Sequence, residues 1–443
     1  MFRGVNPVVR WLAGAASWVF YRVDCVGEVP ADGALILLPN HPNALLDPAV
    51  VWATAGRDVR FLAKSTLFAG PLRPFLQGAG AIPVYRRMDP GADTSRNAET
   101  FAAVAGALAA GDAICLFPEG VSHSSGRLEP LRTGAARMAL EAEREGTPVA
   151  LVPVGLNFDR KTAFRSRVTV VYGKPFSGAD LVASPQTDQA AAVRTLTDRM
   201  ADHIRRLLIE ADPVADAALV ERVDRLYAAA RGRSRDPEER LRRRQLIAGG
   251  MERLRLRAPE RYEQILLQLR RYDQRLGRFG LRDRHLDWQI ARDDVIRFAV
   301  RESLLLVMLG PLVLLGFALF FVPYRLTGLA ARWFTRERDV LATAQVISGT
   351  IVYGLWLACV AWIAWRVGGP ATAAAAALAL PLLALGALFA IERESAVLDA
   401  VRVWLLLRRA HPRTRQRLQR RRSELADVLD EVHAWLMGEP ADT

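Results

Sequence analysis

From about residue 23 to residue 180 the chain alternates short apolar runs with longer stretches of helical periodicity. Ala34–Leu38, Val59–Leu62, Ala81–Tyr85, Ala113–Phe117, Val149–Phe158 and Val168–Tyr172 predict strands, because each is short and strongly apolar. Asn97–Ala110 and Thr133–Glu145 predict helices, closed by Gly111 and Gly146 where a helix commonly stops. Ser184-Pro185 predicts a cap and first-turn proline opening a further helix to about Ala211. Such alternation predicts an α/β domain over residues 23–212, with a largely parallel or mixed sheet flanked by helices.

The pattern changes on both sides of this domain. Residues 1–22 contain an uncharged run from Trp11 to Tyr21, eleven residues long and too short to cross a bilayer. With Trp11, Trp18, Phe20 and Tyr21 set among small residues, it predicts an interfacial helix rather than a cleaved signal; a docking helix is the plainer alternative. Residues 213–300 are helical in pattern and rich in Arg, as in Glu239-Arg240-Leu241-Arg242-Arg243-Arg244. A charge run of this kind is ordinarily a solvated helix face. Its functional alternative is a surface held against anionic headgroups, at about 1 kcal/mol per nearby cation.

Three charge-free apolar segments then follow, Ser303–Tyr324, Val340–Trp365 and Val367–Ile391, ahead of a basic helical tail over 392–443. Each exceeds the ~20 residues needed to span hydrocarbon, so the chain is expected to be an integral membrane protein. Three full crossings would put the basic loop 325–339 and the basic tail opposite the α/β domain, against the positive-inside rule. Gly310-Pro311 and Pro323 suggest instead that the first segment is re-entrant, and Arg366-Val367-Gly368-Gly369-Pro370 a tight turn between two spanning helices. That arrangement keeps the α/β domain and every basic loop on the cytoplasmic face.

Composition narrows the partners. The 443 residues carry a net charge of +13, which suits nucleic acid or anionic lipid, and the apolar C-terminal third favours lipid. No nucleic-acid-binding motif accompanies the arginines. Three scattered cysteines offer neither a disulfide framework nor a CxxC metal site, as expected of a reducing compartment.

Candidate chemistry gathers at the ends of the predicted strands, where open α/β sheets build their sites. The first patch is Asn40-His41-Pro42-Asn43-Ala44-Leu45-Leu46-Asp47-Pro48. There Asp47 can orient His41 as a general base, although a structural His–Asp pair is the plainer reading of these two residues alone. The second, ending Tyr85-Arg86-Arg87, delivers adjacent guanidiniums suited to phosphate. The third, Phe117-Pro118-Glu119-Gly120, presents a carboxylate able to accept from a polyol, and is followed by Ser122-His123-Ser124 and Leu131-Arg132-Thr133-Gly134. Arg132, at a helix start, is a further phosphate candidate. The fourth, Val152-Pro153-Val154, offers apolar walls.

In this order and spacing the four blocks resemble those of the glycerolipid acyltransferase superfamily, over roughly residues 10–210. The resemblance implies a catalytic dyad of His41 and Asp47, and phosphate binding by Arg86 with Arg87 beside it. It also implies a glycerol contact at Glu119 next to Gly120, and an acyl-donor side at Val152-Pro153-Val154. Five residues separate His41 from Asp47, one more than the family's usual spacing, and this form looks more like the branch with fungal glycerol-3-phosphate and dihydroxyacetone-phosphate acyltransferases. A bulge at Ala44-Leu45 could restore the dyad.

The implied activity is transfer of a fatty acyl group from acyl-CoA or acyl carrier protein to a hydroxyl of glycerol 3-phosphate or dihydroxyacetone phosphate. The alternative acceptor is 1-acylglycerol 3-phosphate. No metal, cofactor or covalent enzyme intermediate is expected, and oxyanion donors are sought near Asn40 or Gly120. Two other classes fare worse. A serine hydrolase would use Ser122 or Ser124 with His123, but Gly120-Val121-Ser122-His123-Ser124 lacks the second glycine of a nucleophile elbow. A scaffold or nucleic-acid binder leaves His41 and Glu119 without a purpose.

Overall fold

The computed structural model describes residues 5–69, 72–86, 93–123, 125–182, 188–210, 214–232, 234, 236–287, 292–334, 338–409 and 412–438. It divides into two compact units, Met1–Glu221 with Arg235–Ala248 and Arg336–Thr343, and Arg222–Ser234 with Gly249–Thr335 and Ala344–Thr443.

The first unit holds a seven-stranded sheet, ordered β1-β7-β6-β2-β5-β3-β4. Its strands are β1 (Tyr21–Val26), β2 (Leu35–Pro39), β3 (Val59–Lys64), β4 (Ile82–Val84), β5 (Ala113–Cys115), β6 (Ala150–Phe158) and β7 (Ser166–Tyr172). Neighbours run parallel except β6 and β7, so the sheet is mixed, as the alternation implied. β2 lies between β6 and β5, and Leu35, Ile36, Leu37 and Leu38 are all fully buried. Burial on both faces of a central parallel strand explains why its sequence is continuously apolar rather than alternating.

Around the sheet lie α1 (Pro7–Phe20), α2 (Leu46–Thr54), α3 (Arg73–Gly78), α4 (Asn97–Ala109), α5 (Gly134–Arg144) and α6 (Gln189–Arg205). Ile36, Leu38, Ile114 and Leu151 from the strands pack with Val104, Leu108, Leu140, Leu196 and Met200 from α4, α5 and α6. Each such large side chain contributes about 1.5–3 kcal/mol on burial. α1 starts behind Asn6, whose side chain accepts the Val8 N–H at 2.9 Å. It packs on α2, and Trp11, Leu12, Trp18 and Val19 remain exposed.

Three expectations change in this unit. The helix foreseen over 1–22 stops at Phe20, because Tyr21 opens β1, which pairs in parallel with β7. The helix foreseen from Ser184 to Ala211 is described only over Gln189–Arg205, where Asp188 caps it by accepting the Ala190 N–H; Ser184-Pro185 lies outside the described residues. Part of the Arg-rich stretch is not a free solvated face. Arg240 and Arg167 both reach Asp24 (2.8 and 2.7 Å), and Arg244 reaches Asp159 at 2.5 Å.

In the second unit, the chain from Arg222 to the end of α7 (Val214–Arg231) lies beside α9 (Pro259–Arg278) and α12 (Pro412–Gly438); α8 is Pro237–Arg257. Tyr227 donates to Asp430 at 2.8 Å, and Arg231 pairs with Asp427 and Asp430 at 2.5 and 2.6 Å. Leu254, Tyr262 and Val432 share an apolar cluster. Arg422 makes a bidentate pair with Asp287, at 2.7 and 2.5 Å. The supposed tail is thus a packed helix over 412–438.

Between these helices run α10 (Arg292–Phe334) and α11 (Arg338–Arg409). The break expected at Gly310-Pro311 is absent, since α10 continues as one helix through Pro311 and Pro323. α11 does change direction at the expected turn, where Gly369 takes φ 79° and ψ −170°. Leu314–Ala331 and Ala344–Ala384 are long and apolar enough to cross a membrane.

Candidate active site

β2 ends at Pro39, and the next side chain extends its pairing. Asn40 accepts the Leu156 N–H (2.7 Å) and donates to the Leu156 carbonyl (3.2 Å), standing in for backbone against β6. His41 therefore emerges at the carboxyl end of the parallel strands, where its ring stacks on Phe117 beyond β5 (centroids 4.0 Å apart, planes at 21°).

Between His41 and α2 the chain makes a tight turn in which Ala44 adopts φ +46°. A non-glycine residue in this left-handed region is uncommon and costs on the order of 1–2 kcal/mol. Ala44 lies where a bulge was expected, and the turn carries the chain from His41 to Asp47 at the start of α2. His41 Nδ1 consequently sits 2.8 Å from Asp47 Oδ2. Asp47 is fully buried, and the same oxygen accepts the Asn43 N–H at 2.7 Å. A carboxylate only accepts, so Nδ1 carries the proton and Nε2 is the basic nitrogen.

Burial pushes the Asp47 carboxyl above the ordinary range. The hydrogen bond and charge of His41 oppose this, followed by the Asn43 N–H and the Lys161 charge. Behind the dyad, Asn43 Nδ2 donates to the Tyr21 hydroxyl at 2.7 Å, and that hydroxyl donates to the Lys161 carbonyl. Burial drives the Tyr21 hydroxyl well up, so it stays protonated and available to donate.

Glu119 does not stand where a polyol contact was expected. It is 1 % exposed, and its oxygens accept three N–H groups of the protein itself: His41 N–H (2.6 Å) on Oε1, and His123 Nε2 (2.5 Å) and Glu129 N–H (2.8 Å) on Oε2. Its part is to hold the loops together. Gly120 turns the chain with φ +74° and donates its own N–H to the Phe117 carbonyl at 3.0 Å, so that N–H is already committed rather than offered to an oxyanion. A Cβ at Gly120 would lie 3.3 Å from Arg132 Cγ.

Two guanidiniums meet at this glycine. Arg86, half-buried at the end of β4, donates to the Gly120 carbonyl, and the Arg132 side chain lies across the glycine from the exposed side. The Arg132 backbone is anchored by its N–H on the Pro118 carbonyl at 2.7 Å. Arg87 and Ser124 lie outside the described residues. His123 meets Ser125, at 2.7 Å from Nδ1. Tyr21, Asn43, Phe117 and Lys161 were not foreseen as site residues. Asn43 and Phe117 lie inside the first and third blocks, whereas Tyr21 at the start of β1 and Lys161 in the loop after β6 carry no such signal.

The Acyltransferase family model matches residues 7–157, which include all these residues of the first three blocks. Glycerol-3-phosphate O-acyltransferase 1 of Saccharomyces cerevisiae is 33 % identical over 126 residues, covering 27 % of this chain and 16 % of that protein. An uncharacterized acyltransferase of Schizosaccharomyces pombe is 30 % identical over 183 residues, covering 40 % of this chain and 26 % of its own length. The chain thus matches about a quarter or less of those relatives. The crystal structure of the 1-acyl-sn-glycerophosphate acyltransferase PlsC from Thermotoga maritima aligns with TM-score 0.32 at 17 % identity, over 44 % of this chain and 78 % of that one. Residues 7–157, which hold the His41–Asp47 pair at the sheet's carboxyl edge, are the part of the chain that matches the Acyltransferase family.

Proposed function

We propose that the protein transfers a fatty acyl group from the thioester of acyl-CoA or acyl carrier protein to a hydroxyl of glycerol 3-phosphate or dihydroxyacetone phosphate. The observation that carries this is the 2.8 Å contact between His41 Nδ1 and the fully buried Asp47, which leaves Nε2 as a base at the sheet edge. The match to a yeast glycerol-3-phosphate O-acyltransferase supports a phosphorylated glycerol as acceptor. A Brassica napus 1-acyl-sn-glycerol-3-phosphate acyltransferase, 23 % identical over 151 residues, keeps the acylated glycerol phosphate as the second candidate.

In this mechanism His41 Nε2 takes the proton of the acceptor hydroxyl as its oxygen attacks the thioester carbonyl. The C–O bond forms, the C–S bond breaks, and the proton passes to the departing thiolate. Asp47 holds the imidazole in the right tautomer and offsets the charge it gains. Positioned general-base catalysis of this kind typically contributes 10²–10⁴-fold. Arg86 and Arg132, both beside Gly120, seat the acceptor phosphate and orient the hydroxyl. No metal ion is required by these steps.

The reaction is placed at a membrane surface. α10 and α11 supply the crossing segments, exposed Trp11 and Trp18 of α1 suit an interface, and the exposed arginines suit anionic headgroups on the cytoplasmic face. The test is a purified full-length enzyme given labelled acyl-CoA and, in turn, glycerol 3-phosphate, dihydroxyacetone phosphate and 1-acylglycerol 3-phosphate. His41-dependent transfer to one of the first two is expected. Undiminished turnover in His41→Ala overturns the proposal.

A further inference from the structure

We propose that His123 is a positioning residue for His41, acting through Glu119; this rests on the acyl-transfer function proposed above. The two peptide groups of His41 are both held from the segment 119–123. Its N–H donates to Glu119 Oε1 at 2.6 Å, and its carbonyl accepts the His123 N–H at 3.1 Å. The His123 ring closes the circuit, because Nε2 reaches Glu119 Oε2 at 2.5 Å. A continuous ring of hydrogen bonds therefore runs from the His41 N–H through the Glu119 carboxylate, the His123 imidazole and the His123 N–H back to the His41 carbonyl.

The circuit is braced from outside. Ser125 Oγ lies 2.7 Å from His123 Nδ1 and donates to the Arg127 carbonyl at 3.0 Å, while Lys161 Nζ donates to the His123 carbonyl at 3.1 Å. Glu119 is buried, so the orientation of its carboxylate is set by the donors around it. Removing the His123 donor leaves Oε2 with the Glu129 N–H alone and frees the carboxylate to rotate off the His41 N–H. The base then loses one of the two bonds that fix its backbone, while Arg86 and Arg132 are untouched. A small displacement of a reacting group is the kind of change that costs about 10²-fold in rate without altering binding.

Two substitutions of the same chemistry but different reach separate positioning from simple stability. A Gln at 123 places its amide near the Nε2 position and can still donate to Glu119; an Asn stops near Nδ1 and cannot. In the full-length enzyme, His123→Asn is expected to lower kcat by roughly 10–100-fold with KM for the glycerol phosphate unchanged. His123→Gln is expected to recover kcat to within a few-fold of wild type. Equal kcat values in the two variants, or a KM that rises in step with the loss of kcat, would overturn the assignment. A second readout does not depend on turnover. The rate of diethyl pyrocarbonate modification at His41, followed by mass spectrometry, should change in His123→Asn and stay at the wild-type value in His123→Gln. If the wild-type protein acylates no glycerol phosphate, the acyl-transfer function fails and the modification rates alone decide the role of His123: a rate common to all three proteins rejects it.

Discussion

Replacing Asp47 with Asn removes a charge while leaving most of the local geometry in place. Asp47 Oδ2 accepts from both His41 Nδ1 and the Asn43 N–H, whereas Oδ1 is buried with no partner among the described residues. An Asn therefore settles with its carbonyl oxygen in the Oδ2 position, keeping both bonds and the His41 tautomer. What is lost is the attraction between the carboxylate and the imidazolium that forms as His41 takes the proton. With charge centres about 4 Å apart and an effective dielectric of ~20, that attraction is about 4 kcal/mol, or roughly three decades in rate. Steady-state assays on Asp47→Asn should thus show kcat down by about 10³-fold with KM for the phosphorylated acceptor little changed.

The same substitution carries an opposite sign for stability. The folded-state pKa of Asp47 is raised by burial, so its contribution is fully present below the ordinary carboxylate range and is lost as pH rises through the raised value. Asp47→Asn lacks that titration, and its melting temperature relative to wild type should climb across this interval. A variant with wild-type kcat, or with a stability difference that does not change as pH rises from the ordinary carboxylate range, would refute the electrostatic account of the dyad.

Two further outcomes are expected. Arg86→Ala should raise KM for the phosphorylated acceptor with a smaller effect on kcat, by about 10–100-fold at ~1.5–3 kcal/mol per charge-assisted bond, and Arg132→Ala should do the same; a fall in kcat at unchanged KM would place them elsewhere in the mechanism. Ala44→Val sets a β-branched residue at φ +46° and should destabilise the protein by about 1–2 kcal/mol in chemical denaturation, with loss of turnover; wild-type stability would show that the turn relaxes freely.

The central strands were legible because burial on both faces leaves an unbroken apolar signature, as in Leu35–Leu38. β1 was not. As the edge strand Tyr21–Val26 it carries Arg22 and Asp24, and Asp24 is satisfied by Arg167 and Arg240, far away in sequence. No local pattern announces such partners. The dyad was visible as residue types, but the left-handed Ala44 that makes its spacing workable is a backbone choice that alanine itself does not advertise. Phe117-Pro118-Glu119-Gly120 showed where a carboxylate would stand, without showing that it turns inward to the His41 N–H. The expected break in α10 failed for a related reason: a proline removes one helical bond, and the rest of a long apolar helix can carry on through it.

The packing of α12 has a consequence for how the chain is threaded. Tyr227 and Arg231, which precede both membrane-length helices, touch Asp427 and Asp430, which follow them. Groups in direct contact share one aqueous compartment, so whatever α10 and α11 traverse between them must bring the chain back to the side it left. For helices that cross a membrane, this contact predicts an even number of crossings rather than three complete passages. Protease-accessible tags at residue 234 and after residue 430 should therefore report the same side, and tags on opposite sides would break the argument. Closure also makes the hydrophobic segments a loop whose two ends are clamped together by Arg231 and Asp430, so α12 cannot leave its place without opening the base of that loop.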